Sequence, residues 1–263
     1  MTPDLSSVAW LPCHRLIASR FPTVGVYDQV ADAADLDVVF AIEALTNPRV
    51  RQELGQLSWV PPADRVAGPG ATLIMAAFTH LNPLGSRFSD GSSGVYYVAD
   101  TLDTAVAEVS YHRGLFLART AEEAIDIDLR WLHADRMDKL HDLRGQGASM
   151  PAVDHPNPDP NRYGASQGLG RALRSQGSPG IVFESVRRPQ GQCAAVLKPR
   201  ALNNARTAGH IGLHWDGRAI SHWFEKGAPH ACMGDVLGKL ARFSPDFMAG
   251  GRGENIEGER EAL

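Results

Sequence analysis

The stretch Ser86–Arg113, "SRFSDGSSGVYYVADTLDTAVAEVSYHR", carries an arginine in a glycine- and serine-rich loop into an aromatic strand and then a helix. "VYYVA" has the β-branched and aromatic composition of a strand and follows a cluster of turn residues. In "TLDTAVAEVSYHR", Leu102, Ala105, Val106 and Val109 recur at i, i+3, i+4 and i+7, which makes one helix face apolar. Asp100 or Thr101 can cap the first turn. Helical phase puts Glu108 on the border of the apolar stripe, where a carboxylate can look into a cleft beside the core. Arg87, Tyr97 and Glu108 thus share one short unit, and each residue type has a use there. Such a loop can aim backbone N–H groups and a guanidinium at a phosphate. A ring at a pocket mouth can stack on a flat heterocycle. A carboxylate beside a cleft can steady an oxocarbenium-like sugar.

Working outward, "ADAADLDVVFAIEAL" predicts a helix that stops before Pro48, and "PRVRQELGQL" a second short one with proline in its first turn. "ATLIMAAF" reads as a buried strand. "AIDIDLRWL" alternates Ile125, Ile127 and Leu129 with Asp126, Asp128 and Arg130, a half-buried strand. The long loop over 145–163 is rich in proline, glycine and asparagine. "ASQGLGRALRSQG" predicts a helix stopped by Gly177, "GIVFES" and "CAAVLKP" two strands, and "GHIGLHWDGRAISHWF" a hairpin with "DG" at its tip. Strands and helices mix without regular βαβ alternation. The expectation is an α+β domain with a mixed, largely antiparallel twisted sheet flanked by helices.

The chain of 263 residues has room for a sizeable core, and its 43% hydrophobic and 21% charged content is that of an ordinary globular protein. A net charge of −4 gives no electrostatic reason to expect nucleic acid or an anionic membrane. The apolar runs are too short to span a bilayer, and the N-terminus lacks the pattern of a secretory signal. Cys13, Cys193 and Cys232 are odd in number and widely spaced, which fits reduced thiols in a cytoplasm.

Ser185 closes the "GIVFES" strand beside two arginines and can place a phosphate or ribose through its hydroxyl. It lacks the flanking glycines of a nucleophile elbow, which disfavours serine hydrolase chemistry. His210, His214, His222, His230 and Cys232 lack the tight paired spacing of a zinc site, so no metal is expected. "GLGRAL" falls short of a dinucleotide fingerprint and does not follow a strand.

The linked order of these motifs resembles that of RES-domain proteins, named for an arginine, a glutamate and a serine. "HR" supplies Arg15, "GSRFS" Arg87, "YYVADTLDTAVAE" Tyr97 and Glu108, and the later helix with "GIVFES" supplies Ser185. Phe88 and Ser89 depart from the tryptophan and asparagine of the family loop, and Tyr27 stands as a second pocket ring. The resemblance covers about 13–227. It implies a single RES-type domain over 1–245, with a helical insertion near 30–58 and a flexible tail over 246–263.

The family's fold is similar to that of ADP-ribosyltransferases, and its members are toxins of bacterial toxin–antitoxin pairs that consume NAD. By that resemblance NAD is a substrate, and no cofactor is permanently bound. Phosphate, water or a protein side chain is the acceptor, and the toxin's partner is an antitoxin with a helix-turn-helix domain. Arg15 and Arg87 would grip the NAD phosphates, Tyr97 and Tyr27 stack on nicotinamide, Glu108 hold the ribose and Ser185 help place it. A protein ADP-ribosyltransferase and a non-catalytic nucleotide- or antitoxin-binding module are the rival readings.

Overall fold

The computed structural model describes residues 2–19, 25–46, 55–135, 138–146 and 163–227. All but Gly227 belong to one compact unit, Met1–Lys226. The second helix predicted over 48–57 falls largely outside the described residues, as do most of the 145–163 loop, the boundary near 245 and the tail. In chain order the elements are β1 (Leu5–Ser6), β2 (Cys13–Ala18), α1 (Val26–Gln29), α2 (Leu36–Thr46) and α3 (Ala71–Thr79). Then follow β3 (Tyr96–Ala99), α4 (Leu102–Leu117), β4 (Ile125–Asp135), β5 (Leu140–Asp142) and α5 (Gly164–Ser175). The chain continues through β6 (Gly180–Glu184), β7 (Gln192–Val196), β8 (Asn203–Trp215) and β9 (Ile220–Glu225).

The strands form one mixed sheet in the order β1-β5-β6-β7-β3-β2-β4-β8-β9. Only the β5–β6 neighbours are parallel; the others run antiparallel, so the fold is the α+β class expected. Side chains alternate across the sheet, and two cores result. On one face Tyr96, Val98, Val182, Ala194 and Val196 pack with Tyr27, Leu36 and the α3 residues Ala71, Ile74, Met75 and Phe78. On the other, Ala99, Ile181, Phe183, Cys193 and Ala195 pack with Ala105 and Val106 of α4 and Leu173 of α5. Among the described residues no helix is long and apolar enough to cross a membrane.

Most local expectations hold: α2, α4, α5, β3, β6, β7 and the β8–β9 hairpin lie where the patterns put them. Thr101 caps α4 by accepting the Thr104 N–H at 3.2 Å. The strand predicted from "AIDIDLRWL" is β4, with Leu129 buried, Ile127 half-buried and Ile125 48% exposed, so the alternation weakens at its start. "ATLIMAAF" is the correction, because it is helix α3 and not a strand. Gly70, at φ 81°, turns the chain into it, and Ala71, Ile74, Met75 and Phe78 make a helical stripe into the core. The period is masked because Leu73, Ala76 and Ala77, off that stripe, are apolar as well.

β2 and β3 register at one pair only, His14↔Ala99. At the next residue the Arg15 side chain replaces the ladder, donating from Nη1 to the Tyr97 carbonyl at 3.0 Å. The sheet parts there, and two hollows meet at the parting.

Candidate functional site

The first hollow, of about 530 Å³, lies between α4, the 82–87 loop, β2, β3 and the turn after β6. Glu108 enters it from the flank of α4, as its helical phase required. The Ser185 hydroxyl donates to Glu108 Oε1 at 2.6 Å, while Ser185 Oγ accepts the backbone N–H of Arg187 and of Arg188, each at 3.1 Å. A hydroxyl has one proton and two lone pairs, so those three bonds use its full capacity. Ser185 therefore holds Glu108 in place and has no capacity left for a phosphate. The turn that carries Ser185 is pinned in turn, because Arg188 reaches Thr104 at 3.2 Å and Asp103 at 3.2 Å on the first turn of α4.

Cys193 also faces Glu108, with Sγ 3.9 Å from Oε1. Burial, and then the Glu108 charge, push its thiol far above the ordinary range. It is a neutral donor here and not a thiolate nucleophile.

Arg87 lines the same hollow, its guanidinium 4.7 Å from the Phe183 ring centre. The loop that carries it is fastened from two sides. The Tyr97 hydroxyl accepts the Phe88 N–H at 3.0 Å and lies 2.9 Å from Ser86 Oγ. From α5, Gln167 donates to Ser86 O at 3.2 Å, Arg171 pairs with Asp90 at 2.7 Å, and Arg174 donates to Gly94 O at 2.6 Å. A Cβ at Gly170 would sit 2.2 Å from the Phe88 carbonyl, so only glycine lets the helix come this close.

The Tyr97 ring lines both hollows while its hydroxyl clasps the loop. Arg15 likewise lines both, with its guanidinium 4.3 Å over the Tyr96 ring. The structure thus brings Arg15, Arg87, Tyr97, Glu108 and Ser185 to one place.

Tyr27 is the exception and a correction. It is 1% exposed, packs 5.2 Å from Phe40 in the core on the α3 face, and lines neither hollow. The short helix α1 turns its ring inward, where burial also raises its hydroxyl's pKa.

Several lining residues were not anticipated. The Arg187 guanidinium stacks 3.4 Å over the Tyr111 ring, and its buried Nε has no hydrogen-bond partner among the described residues. His112 stands one helical turn beyond Glu108, a spacing visible in the sequence; it is exposed overall, but the water it loses against the hollow lowers its pKa below the ordinary 6.5, which favours the neutral ring near pH 7. Tyr163 and Arg119 complete the rim. Among the described residues Glu108 is the one carboxylate lining this hollow, against the guanidiniums of Arg15, Arg87, Arg119 and Arg187. A chain of net charge −4 thus gathers four arginines around Glu108 in this cavity. Among the described residues no three His, Cys, Asp or Glu side chains converge as a metal ion would need. His214 bonds Asp126 at 2.6 Å and stacks on His222 across the hairpin.

An α+β sheet parted around an arginine-lined cleft, with a serine-held glutamate inside it, defines the class. Residues 62–216 match the RES domain model, more than half of the chain, and the protein belongs to the RES domain family. Arg87, Tyr97, Glu108 and Ser185 lie within the matched segment and Arg15 outside it. The chain is 32% identical over 210 residues to the uncharacterized protein y4oC of Sinorhizobium fredii (strain NBRC 101917 / NGR234). That match covers 79% of this chain and 84% of the relative. It is also similar to a chain in the crystal structure of the M. tuberculosis MbcT–MbcA toxin–antitoxin complex. That similarity has a TM-score of 0.37 and 12% identity, covering 81% of this chain and 86% of that one. It is too distant to carry an activity across.

Proposed function

We propose that the protein is an NAD-cleaving toxin that breaks the bond between nicotinamide and ribose and passes ADP-ribose to phosphate or water. The observation that carries this reading is the 2.6 Å bond that holds the Glu108 carboxylate in a cavity lined by the guanidiniums of Arg15, Arg87, Arg119 and Arg187.

In the reaction the C1′–N1 bond breaks and its electron pair returns to the pyridinium nitrogen, so nicotinamide leaves neutral and needs no acid. Positive charge develops on the ribose. A fixed carboxylate close to it lowers the barrier by preorganised electrostatics, which for a single such group is worth about 10²–10³ in rate. Arg15 and Arg87 hold the pyrophosphate, Tyr97 supplies a ring beside the nicotinamide, and the oxygen of the acceptor then closes on C1′. Neutral Cys193 and neutral His112 put no competing charge next to the forming cation.

NAD is a substrate in this reading and no cofactor is required. The toxin acts in the cytoplasm, where an antitoxin with a helix-turn-helix domain restrains it; the chain's own negative charge speaks against direct DNA binding. Transfer to a protein side chain uses the same bond cleavage and differs only in the acceptor. Incubation with NAD, with and without inorganic phosphate, followed by product identification, separates these outcomes. ADP-ribose 1″-phosphate marks phosphorolysis, free ADP-ribose hydrolysis, and a labelled protein transfer. Intact NAD with phosphate, without it, and with cell proteins added refutes the reading.

A further inference from the structure

The second hollow, of about 620 Å³, takes no part in the bond cleavage, yet Arg15, Ser86 and Tyr97 are walls of both hollows. Its floor is helix α3. The opposite stripe of that helix is in the core, so a surface helix would place polar residues at 73, 76 and 77. Leu73, Ala76 and Ala77 stand there instead, half-buried; Leu73 and Ala77 also pack against the core, and the two alanines leave the wall flat. Ile17, Ala18 and Val95 add apolar walls, and the guanidiniums of Arg113 and Arg130 line the same space. The volume of each hollow lies in the range of a complete small-ligand site, about 300–1,000 Å³. A mononucleotide in the first leaves the second unused. A flat apolar slot with cationic walls, opening at the half-buried Arg15, suits a planar base on a phosphorylated ribose.

We propose that this second lobe receives the purine nucleoside end of the substrate, with Arg15 at the junction against the pyrophosphate. The inference rests on the reading of the first lobe as the NAD-cleaving site. It makes the protein a reader of the whole dinucleotide. Nicotinamide mononucleotide, which ends at the junction, uses the first lobe alone, whereas ADP-ribose depends on the second.

The test measures equilibrium binding of ADP-ribose and of nicotinamide mononucleotide, and NAD cleavage, for the wild type, Ala76→Phe and Leu73→Ala. The phenyl ring fills the slot and should weaken ADP-ribose, and raise the KM for NAD, about tenfold or more. Mononucleotide affinity should stay within about twofold of wild type, which also shows that the variant is folded. Leu73→Ala removes a wall instead of filling the slot and should give the same split, smaller in size.

The proposal is overturned by a wild type that binds no ADP-ribose, by wild-type ADP-ribose affinity in both variants, or by equal loss of both ligands. A protein that leaves NAD intact but loses ADP-ribose selectively in Ala76→Phe keeps the second lobe and forfeits the cleavage reading. One whose Ala76→Phe variant cleaves NAD at the wild-type KM does the reverse.

Discussion

Glu108 accepts hydrogen bonds from Ser185 at 2.6 Å and, more weakly, from Cys193 at 3.9 Å. A hydrogen bond to a charged group is worth about 1.5–3 kcal/mol, so Ser185→Ala should lower kcat by about 10- to 100-fold. Because Ser185 acts through Glu108, the KM for NAD should move little, and Ser185→Thr should restore part of kcat. A rise in KM with kcat unchanged would instead make the serine a substrate contact. Glu108→Gln keeps the shape of the side chain and removes its charge, and should cost about 10²-fold or more in kcat. Helical phase made Glu108 legible in the sequence, and its spacing from Tyr97 made the pair legible. The work of Ser185 was not, since a strand-end serine gives no sign of whether it faces a ligand or a neighbouring carboxylate. Tyr27 was misplaced for a related reason: an aromatic residue near a site motif is read as pocket or core only by the packing of distant elements.

At the scale of elements, the loop that carries Arg87 is held by the Tyr97 hydroxyl and by α5. Tyr97→Phe leaves the Phe88 N–H without its acceptor, at about 1–3 kcal/mol. It should raise the KM for NAD and lower stability together in denaturant titrations, while Arg87 itself is unchanged. Gly170→Ala drives a methyl into the Phe88 carbonyl, 2.2 Å from its ideal position. Overpacking of this kind should cost about 1–3 kcal/mol and displace the same loop. A Gly170→Ala variant of wild-type stability and activity would mean that α5 does not set the loop. Periodicity found α4 and α5 because each has a polar face. It missed α3, whose two apolar faces, one in the core and one along the second lobe, leave a continuous apolar run like that of a buried strand.

Across the whole molecule, burial lowers the pKa of His14, His112 and His133 from the ordinary 6.5. Each therefore binds a proton more readily unfolded than folded, and stability falls as the pH drops through 6.5 towards the folded values. Thermal melts should show a declining midpoint between about pH 7 and pH 5, less steep in His133→Asn, before the carboxylates titrate. A flat midpoint over that window would contradict the lowered pKa of these imidazoles. The α+β class and the central strands followed from local pattern. The order of the sheet and its parting between β2 and β3 did not, because Arg15 and Tyr97 are far apart in sequence and their contact is a product of the assembled fold.

The most direct test of the proposed chemistry is nicotinamide release from NAD, followed by proton NMR in matched samples of wild type and Glu108→Gln. Free nicotinamide should accumulate with the wild type and be slowed about 10²-fold or more by the substitution. Equal release by both proteins would strip Glu108 of its role, and no release by the wild type, with phosphate and cell proteins present, would contradict NAD cleavage itself.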